Sequence, residues 1–446
     1  MAKSATSKFS KLEKQWILYD VANSAYTLLA TALLAFYFNF LSPSKSLTTV
    51  WGSVNTIVTI IAVILCPIMG TYADFSKKRS IFLTFALIGV FGCYILSLFG
   101  IFSNWKFAGI LFMIVYILTE VGYTSANVFY DSMLSDVTTD ENMHKVSANG
   151  YAWGYIGSCI PFIICLVLYV LGDMIWVEKV NGEVVGKPFL GSAFSLCCIV
   201  TALWWAFFTM PLANNYKQKH FLPKPKHPIK ETFTRLGSVF KDLSKNKKAL
   251  FFLFAYFFYI DGVHTIIKMA MSIGNDLEFE NFGTVKLVIA LFVTQIVAFP
   301  FAILFGKLAS KFKSTKLLIV CISAYMAIGV LAVFLRQEWQ FWMMAVGVGM
   351  FQGGIQAMSR SYFTKIIPRE KSGEFFGIYD IFGKGAAILG VGLISILSAI
   401  FPLADGTWIN ISLIPLPVLF AIGLVLFIIS MRMPTADGTE IEADKK

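Results

Sequence analysis

Charge is what this sequence has least of. Only 14% of its 446 residues are Asp, Glu, Lys or Arg, while 57% are hydrophobic. A soluble domain averages about 25% charged and about 45–50% apolar. A chain of this length would make about three soluble domains, and so few charges cannot solvate them. The bilayer is the natural solvent, in keeping with a mean hydropathy of +0.71. Cysteine motifs are also lacking. The seven cysteines (Cys66, Cys93, Cys159, Cys165, Cys197, Cys198, Cys321) all fall in apolar stretches and form no C-x-x-C or Cys/His pattern, which argues against a zinc site or a disulfide framework. They read as small apolar packing residues. The nucleotide loop G-x-x-x-x-G-K-[ST] and the patterns H-E-x-x-H and G-x-S-x-G are absent as well. A primary pump and an intramembrane enzyme therefore have no motif to rest on. No cofactor, no metal and no enzyme activity are expected.

What the chain does have is a series of long apolar runs. A spanning helix needs about 20 mainly apolar residues, and such spans are expected near Trp16–Phe40, Val50–Tyr72, Ile81–Phe102, Phe107–Phe129, Ser147–Leu171 and Phe189–Pro211. Six more follow near Ala249–Ile273, Thr284–Ala309, Leu317–Leu335, Trp339–Ile366, Glu374–Ile400 and Ile409–Met431. The basic segment Met1–Lys14 leads into a run too long and too polar for a cleaved signal, so the first helix is expected to serve as an uncleaved one. With both termini in the cytoplasm, about 28 basic residues fall on cytoplasmic segments and about 6 on external loops, with about 3 (Lys268, Arg360, Lys384) in or at the ends of spans. The net charge of +11 is then a record of topology and not a nucleic-acid footprint. The expected fold is an all-α membrane protein of twelve transmembrane helices, in a bacterial inner membrane. Residues 1–211 and 249–446 form two six-helix bundles. Residues 212–248, basic and broken by Pro223, Pro225 and Pro228, form a cytoplasmic linker close to anionic lipid headgroups.

The two halves repeat one another. Asp20-Val21-Ala22-Asn23-Ser24 in the first helix has its spacing echoed by Asp261-Gly262-Val263-His264-Thr265 in the seventh. The stretch Gly70–Arg79 after the second helix is matched by Gly306–Lys313 after the eighth. Asn127 and Asp131 in the fourth correspond to Gln356 and Arg360 in the tenth. The order is the same in both halves, so the duplication is parallel, the arrangement of major facilitator transporters.

These residues, with Gly353-Gly354-Ile355-Gln356-Ala357-Met358-Ser359-Arg360-Ser361, Pro368 and Phe375-Phe376-Gly377, resemble the vacuole-effluxer-like (UMF) branch of the major facilitator superfamily over nearly the whole chain. That branch includes fungal vacuolar amino-acid effluxers and many bacterial members. The superfamily's loop after the second helix runs roughly G-x-x-x-D-R-x-G-R-R/K. Here Gly70, Asp74, Lys78 and Arg79 are kept, Phe75 and Lys77 replace Arg and Gly, and Ser310 replaces the acid in the second half. The resemblance thus implies conformational locking by this loop in the first half only.

A charge at the membrane centre costs at least about 2.5–3.5 kcal/mol on insertion scales, so polar residues inside spans should face a wet interior. Residues at i, i+3, i+4 and i+7 share one side of a helix. Asp20, Asn23, Ser24, Thr27 and Thr31 form such a stripe, as do Asp261, His264, Thr265 and Lys268. Glu120, Thr124, Asn127 and Asp131 form a third, and Gln352, Gln356, Ser359 and Arg360 a fourth. Four corresponding helices with polar stripes are what a central aqueous cavity requires. The substrate and coupling candidates are Asp20, Asn23, Glu120, Asn127, Asp261, His264, Lys268, Gln356 and Lys384, the last flanked by Gly383 and Gly385. Glu120 lies nearest the middle of its helix, as a coupling or substrate-binding acid or else in a buried structural bond. Asp20 is either a ligand or a member of a network at the helix end. Asp261 either pairs with Lys268 or binds one end of a zwitterion, and His264 is either a relay or a satisfied intrahelical partner. Asp74, Lys78, Arg79, Asp131 and Arg360 are assigned to a cytoplasmic gate, with headgroups or helix-end carbonyls as the competing partners of Arg360. Gly150, Gly154 and Gly157 line the fifth helix at spacings that favour close packing.

These readings converge on a secondary active transporter. The resemblance implies a small organic solute, an amino acid or similar zwitterion or anion, moved by efflux or with proton coupling through alternating access. Sodium is the other coupling ion considered. A cation-coupled sugar or glycoside symporter is the alternative within transporters, and a transporter-derived sensor lies further off. The expected partners are the solute, the coupling ion and membrane lipids, with the protein a monomer and no nucleic acid.

Overall fold

A computed structural model describes the chain outside residues 1–8, 35–36, 39–40, 42–46, 103–104, 106, 176–177, 181–182, 187, 224–225, 227–230, 233, 235–242, 277–283, 402–408 and 435–446. Twelve long helices occur among the described residues. The first six are α1 (Lys11–Leu29), α2 (Leu47–Ala73), α3 (Lys78–Leu98), α4 (Ala108–Ser132), α5 (Met143–Ile175) and α6 (Pro188–Asn215). The second six are α7 (Lys247–Asp276), α8 (Thr284–Leu308), α9 (Ser314–Val333), α10 (Glu338–Ile366), α11 (Ser372–Ile400) and α12 (Pro415–Met431). Each coincides with one expected span, and boundaries move by a few residues. The largest change is in α1. It starts earlier, at a Ser10–Glu13 capping box, and gives way to a π-helical turn over Ala30–Leu34.

Eight of the twelve are long and apolar enough, over described residues, to cross a membrane. The other four are instructive. α2 and α11 contribute shorter apolar segments, Ile57–Ala73 and Leu389–Ser398. α1 and α10 carry Asp20, Asn23, Gln352, Gln356 and Arg360, which dilute their hydropathy. Two of these four, α1 and α10, carry polar stripes.

One short extended element accompanies the helices. Between α5 and α6, β1 (Glu178–Val180) pairs antiparallel with β2 (Glu183–Gly186). The residues separating them in sequence are Asn181-Gly182, a strong two-residue hairpin signal that the hydropathy reading passed over.

The chain packs as two compact units. One comprises Met1–Val58, Arg79–Thr139 and Trp153–Lys219; the other comprises Thr59–Lys78, Asp140–Ala152 and His220–Lys446. In the first, α1 lies along α6. There Gly154 and Gly157 of α5 face α1, where a Cβ would come within 2.9 Å of the Ser24 hydroxyl and 2.6 Å of Val21. In the second, α7 packs on α11 and α12, and α10 packs on α8 and α9. The end of α2 and the start of α5 belong to this second unit.

Candidate functional site

In the first unit, the polar stripes of α1 and α4 meet. The Asn23 amide donates to Asn127 Oδ1 at 2.8 Å, and the Ser24 hydroxyl donates to Asn23 Oδ1 at 3.3 Å. One turn on, the hydroxyls of Thr27 and Tyr123 are 2.7 Å apart. Toward the start of α1, Tyr130 donates to Asp20 Oδ2 at 2.7 Å, and Trp16 donates to the Tyr130 carbonyl at 3.1 Å while stacking on its ring. Asp20 is buried, so it belongs to this α1–α4 seam. Glu120 is half-buried on α4 and within electrostatic reach of Tyr26, Tyr116 and Tyr123. Tyr116 itself donates to Asn55 of α2 at 3.0 Å. Tyr26, Tyr123 and Trp205 are mutually packed, with ring centroids 5.1 to 5.9 Å apart. The tyrosines were not singled out from sequence, because an aromatic in a span is most often simply packing or interfacial.

The acid expected to lock the loop after α2 is an N-terminal cap. Asp74 Oδ1 accepts from the Gly373 amide at 2.9 Å and Oδ2 accepts from the Glu374 amide at 3.0 Å, at the first turn of α11. Backbone amides there have no intrahelical acceptor, and the positive end of the helix favours a carboxylate. Lys78 lies 3.4 Å from Asp74 and donates to the Ser372 hydroxyl at 2.5 Å. Asp74 and Lys78 are both wholly buried. Burial pushes the Asp74 carboxyl up to about 6, while Lys78 and the two amides pull the other way. The approach is made possible by glycine: a Cβ on Gly70 would meet the Gly373 carbonyl at 2.4 Å. The turn also holds Ser76 at φ 66, a left-handed conformation that favours glycine. The Leu222 amide donates to the Asp74 carbonyl at 2.8 Å, tying the linker to the same turn.

Arg79 is not part of that cluster. Its Nε donates to the Ala213 carbonyl at 2.5 Å, near the end of α6 in the first unit, where a cation suits the carbonyl end of a helix. A further anchor there is Asp136, buried in the one-turn helix Leu134–Val137, which accepts from Tyr216 at 2.5 Å and from the Lys219 amide at 3.3 Å.

Arg360, 1% exposed, is held by the start of α5. Its Nε donates to the Ser147 hydroxyl and its Nη2 to the Ser147 carbonyl, both at 3.0 Å, and its guanidinium lies 4.2 Å over the Tyr151 ring. Ser147 in turn donates to the Ala357 carbonyl at 3.0 Å, and His144 Nδ1 is 2.5 Å from the Ser361 hydroxyl. Its partners here are a hydroxyl and a carbonyl near the start of α5 and an aromatic face. His144, Ser147 and Tyr151 recur at i, i+3 and i+7, a polar face that could have been read alongside the glycines of α5. On the adjoining loops Arg369 pairs with Asp140.

Asp261 is also wholly buried. Its Oδ1 accepts from the Gly390 amide of α11 at 3.0 Å and from the Thr265 hydroxyl at 3.3 Å. This amide lies inside a helix, so the carboxylate bonds directly to the α11 backbone. Lys268 is exposed, His264 and Gln356 are half-buried, and Asp131 is half-buried at the end of α4. The side chains of Lys384 and Thr31 lie outside the described residues. Gln352 lines a pocket inside the second unit.

The twelve long helices among the described residues are in keeping with the comparisons. A family model described as "Vacuole effluxer Atg22 like" matches residues 34–436. The chain belongs to this family. An uncharacterized MFS-type transporter of Bacillus subtilis (strain 168), YxiO, is 37% identical over 444 residues, covering 98% of this chain and 99% of that protein. Autophagy-related protein 22 of Yarrowia lipolytica is 24% identical over 57% of this chain, which spans 45% of that fungal protein. Among solved structures, the major facilitator transporter FucP in its outward conformation matches with a TM-score of 0.72 at 11% identity, over 95% of this chain and 98% of that one. A bacterial homologue of the iron transporter ferroportin, outward-facing, reaches 0.66 at 11% identity over 95% and 99%. Likeness at such identities establishes the fold, which is that of the major facilitators. The Atg22-like chain is thus a multi-pass membrane transporter of MFS type.

Proposed function

We propose that this Atg22-like transporter moves a small organic solute carrying an amino group, an amino acid or similar zwitterion, by proton-linked alternating access across a bacterial inner membrane, with both termini cytoplasmic. The observation that carries the reading is Glu120. A carboxylate in mid-span is retained despite an insertion cost of at least about 2.5–3.5 kcal/mol, and it is half-buried within reach of three tyrosines. In this reading Glu120 takes the proton or the solute's ammonium group, and the Asn23–Asn127 pair presents neutral hydrogen-bonding groups beside it. Asp20 braces Tyr130. His264, Lys268, Gln356 and Lys384 face the solute from the second half, and Asp261 shapes α11 behind them. Residues 1–211 and 249–446 move as the two halves, tethered by 212–248, in a monomer. Asp74, Lys78, Arg79, Asp131 and Arg360 form or buttress the cytoplasmic gate.

A thermal-shift screen of amino acids, sugars, nucleosides and drugs on purified protein, followed by counterflow in proteoliposomes, tests the substrate class. Sugar-driven counterflow with silent amino acids would replace this reading by sugar symport. Glu120→Gln is expected to remove the pH dependence of uptake or to weaken solute affinity at least about tenfold, the size of one lost charge-assisted contact. Unchanged uptake, pH profile and affinity would take Glu120 out of the site.

A further inference from the structure

The second unit holds a partly open pocket of about 90 Å³ between α7, α8, α9 and α10, reaching the first turn of α12. Its lining has the character of small-molecule sites, which are mostly apolar with a few placed polar groups. The wall is built from Ile266, Ile273, Leu291, Leu335, Val348 and Leu416, and none of the described lining residues carries a charge. Three lining residues are polar. The Thr294 hydroxyl is already committed to the carbonyls of Ala290 and Ala345, at 2.9 and 3.2 Å. Gln352 and Gln295 differ from it. Gln352 is 6% exposed, and the Oε1 atoms of both glutamines are buried with no hydrogen-bond partner among the described residues. A buried acceptor left unmade bears its full desolvation cost, and a ligand that brings a donor removes it.

We infer that this cavity binds a neutral amphiphile, an aliphatic body of medium length ending in a hydroxyl or primary amide that donates to Gln352 and Gln295. A carboxylate, phosphate or ammonium head is disfavoured, because no described lining residue supplies a counter-charge for a desolvated ion. The same argument separates this site from that of a zwitterionic solute, so the inference stands whether or not the proposed transport function does.

Photolabelling of the full chain in nanodiscs with a diazirine analogue of octanol tests it, with labelled residues mapped by peptide mass spectrometry. Label is expected on the cavity wall, on residues such as Ile266, Leu291 and Val348. Excess octanol should reduce it about tenfold, and octanoate at pH 8 should leave it in place. Ala345→Phe, which adds bulk to the wall, should abolish wall labelling. Gln352→Leu should weaken displacement by octanol about fivefold, the worth of one ordinary hydrogen bond. Label confined to exposed positions such as Ile289 and Ile296, or octanoate competing as well as octanol, would overturn the inference. The competition experiment on the unaltered chain decides the matter even if either variant misfolds.

Discussion

Lys78 Nζ and Asp74 Oδ1 lie 3.4 Å apart, and neither side chain is exposed. Removing one member of a buried pair strands the other, which typically costs about 3–5 kcal/mol. Lys78→Met is therefore expected to destabilise the protein by about 3 kcal/mol at pH 8, and by less at pH 5, where Asp74 can neutralise itself with a proton. The double variant Asp74→Asn, Lys78→Met should recover most of the loss. Thermal unfolding in detergent measures all three. A pH-independent loss under about 1 kcal/mol for Lys78→Met would mean that the pair does not hold the end of α2 to α11.

The same acid sets a pH dependence with a definite sign. Burial raises the Asp74 carboxyl from 3.8 to about 6, so the folded protein binds this proton more tightly than the unfolded chain does. Its contribution to stability is then greatest below pH 3.8, declines as pH rises toward about 6, and is constant above that. Asp74→Asn carries no titrating group. The difference in unfolding midpoint between wild type and Asp74→Asn should shift in favour of the variant as pH goes from 4 to 7. Parallel midpoints across that range would show that Asp74 titrates as an ordinary exposed carboxylate.

Close approach at this seam depends on two missing side chains. A Cβ at Gly373 would fall 2.6 Å from the Gly70 carbonyl and 2.8 Å from Asp74 Oδ1. The first of these is backbone and cannot rotate away. Gly373→Ala should cost about 2–3 kcal/mol through overpacking. Gly385→Ala in the same helix meets nothing within 4 Å, so it should be neutral or stabilising by up to about 1 kcal/mol through helix propensity. Equal midpoints for the two variants would show that α2 and α11 are not in contact there.

How much of this was legible depends on the range of the signal. Twelve helices could be read because bilayer thickness imposes runs of about 20 apolar residues. The Asn23–Asn127 contact was foreshadowed by two stripes at helical spacing, since both signals are local to one helix. Partners across the fold were not so marked. Asp261 could be placed on a polar face, but its acceptor role toward the Gly390 amide involves a backbone group that no side-chain pattern records. The stripe Gln352, Gln356, Ser359 and Arg360 spreads over about 100° of helix surface, wide enough for its members to meet different neighbours. Gln352 lines a cavity, Ser359 meets Tyr259 at 2.6 Å and Arg360 meets α5. The β1–β2 pairing was missed for the opposite reason: the Asn181-Gly182 signal between the strands is plain in the sequence, but hydropathy windows average over it.

Arg360 separates an anchor from a gate. Its guanidinium makes two 3.0 Å bonds to Ser147 and covers the Tyr151 ring at 4.2 Å. That fork-and-face geometry suits a planar group, and an ammonium cannot reproduce it. Arg360→Lys should therefore lose about 2 kcal/mol of stability, and Tyr151→Leu about 1 kcal/mol, with the two losses non-additive because they share one contact. Tyr151→Phe keeps the ring face and should be close to wild type. These outcomes test the anchor and are read by thermal unfolding. The gate makes a separate demand on transport. If Asp131 and Arg360 act against each other in the cycle, exchanging their charges should restore counterflow lost in Asp131→Arg and in Arg360→Asp. Independent, additive losses of transport, with the Arg360→Lys destabilisation still present, would leave Arg360 as a fixed strut between α5 and α10 and remove it from the gate.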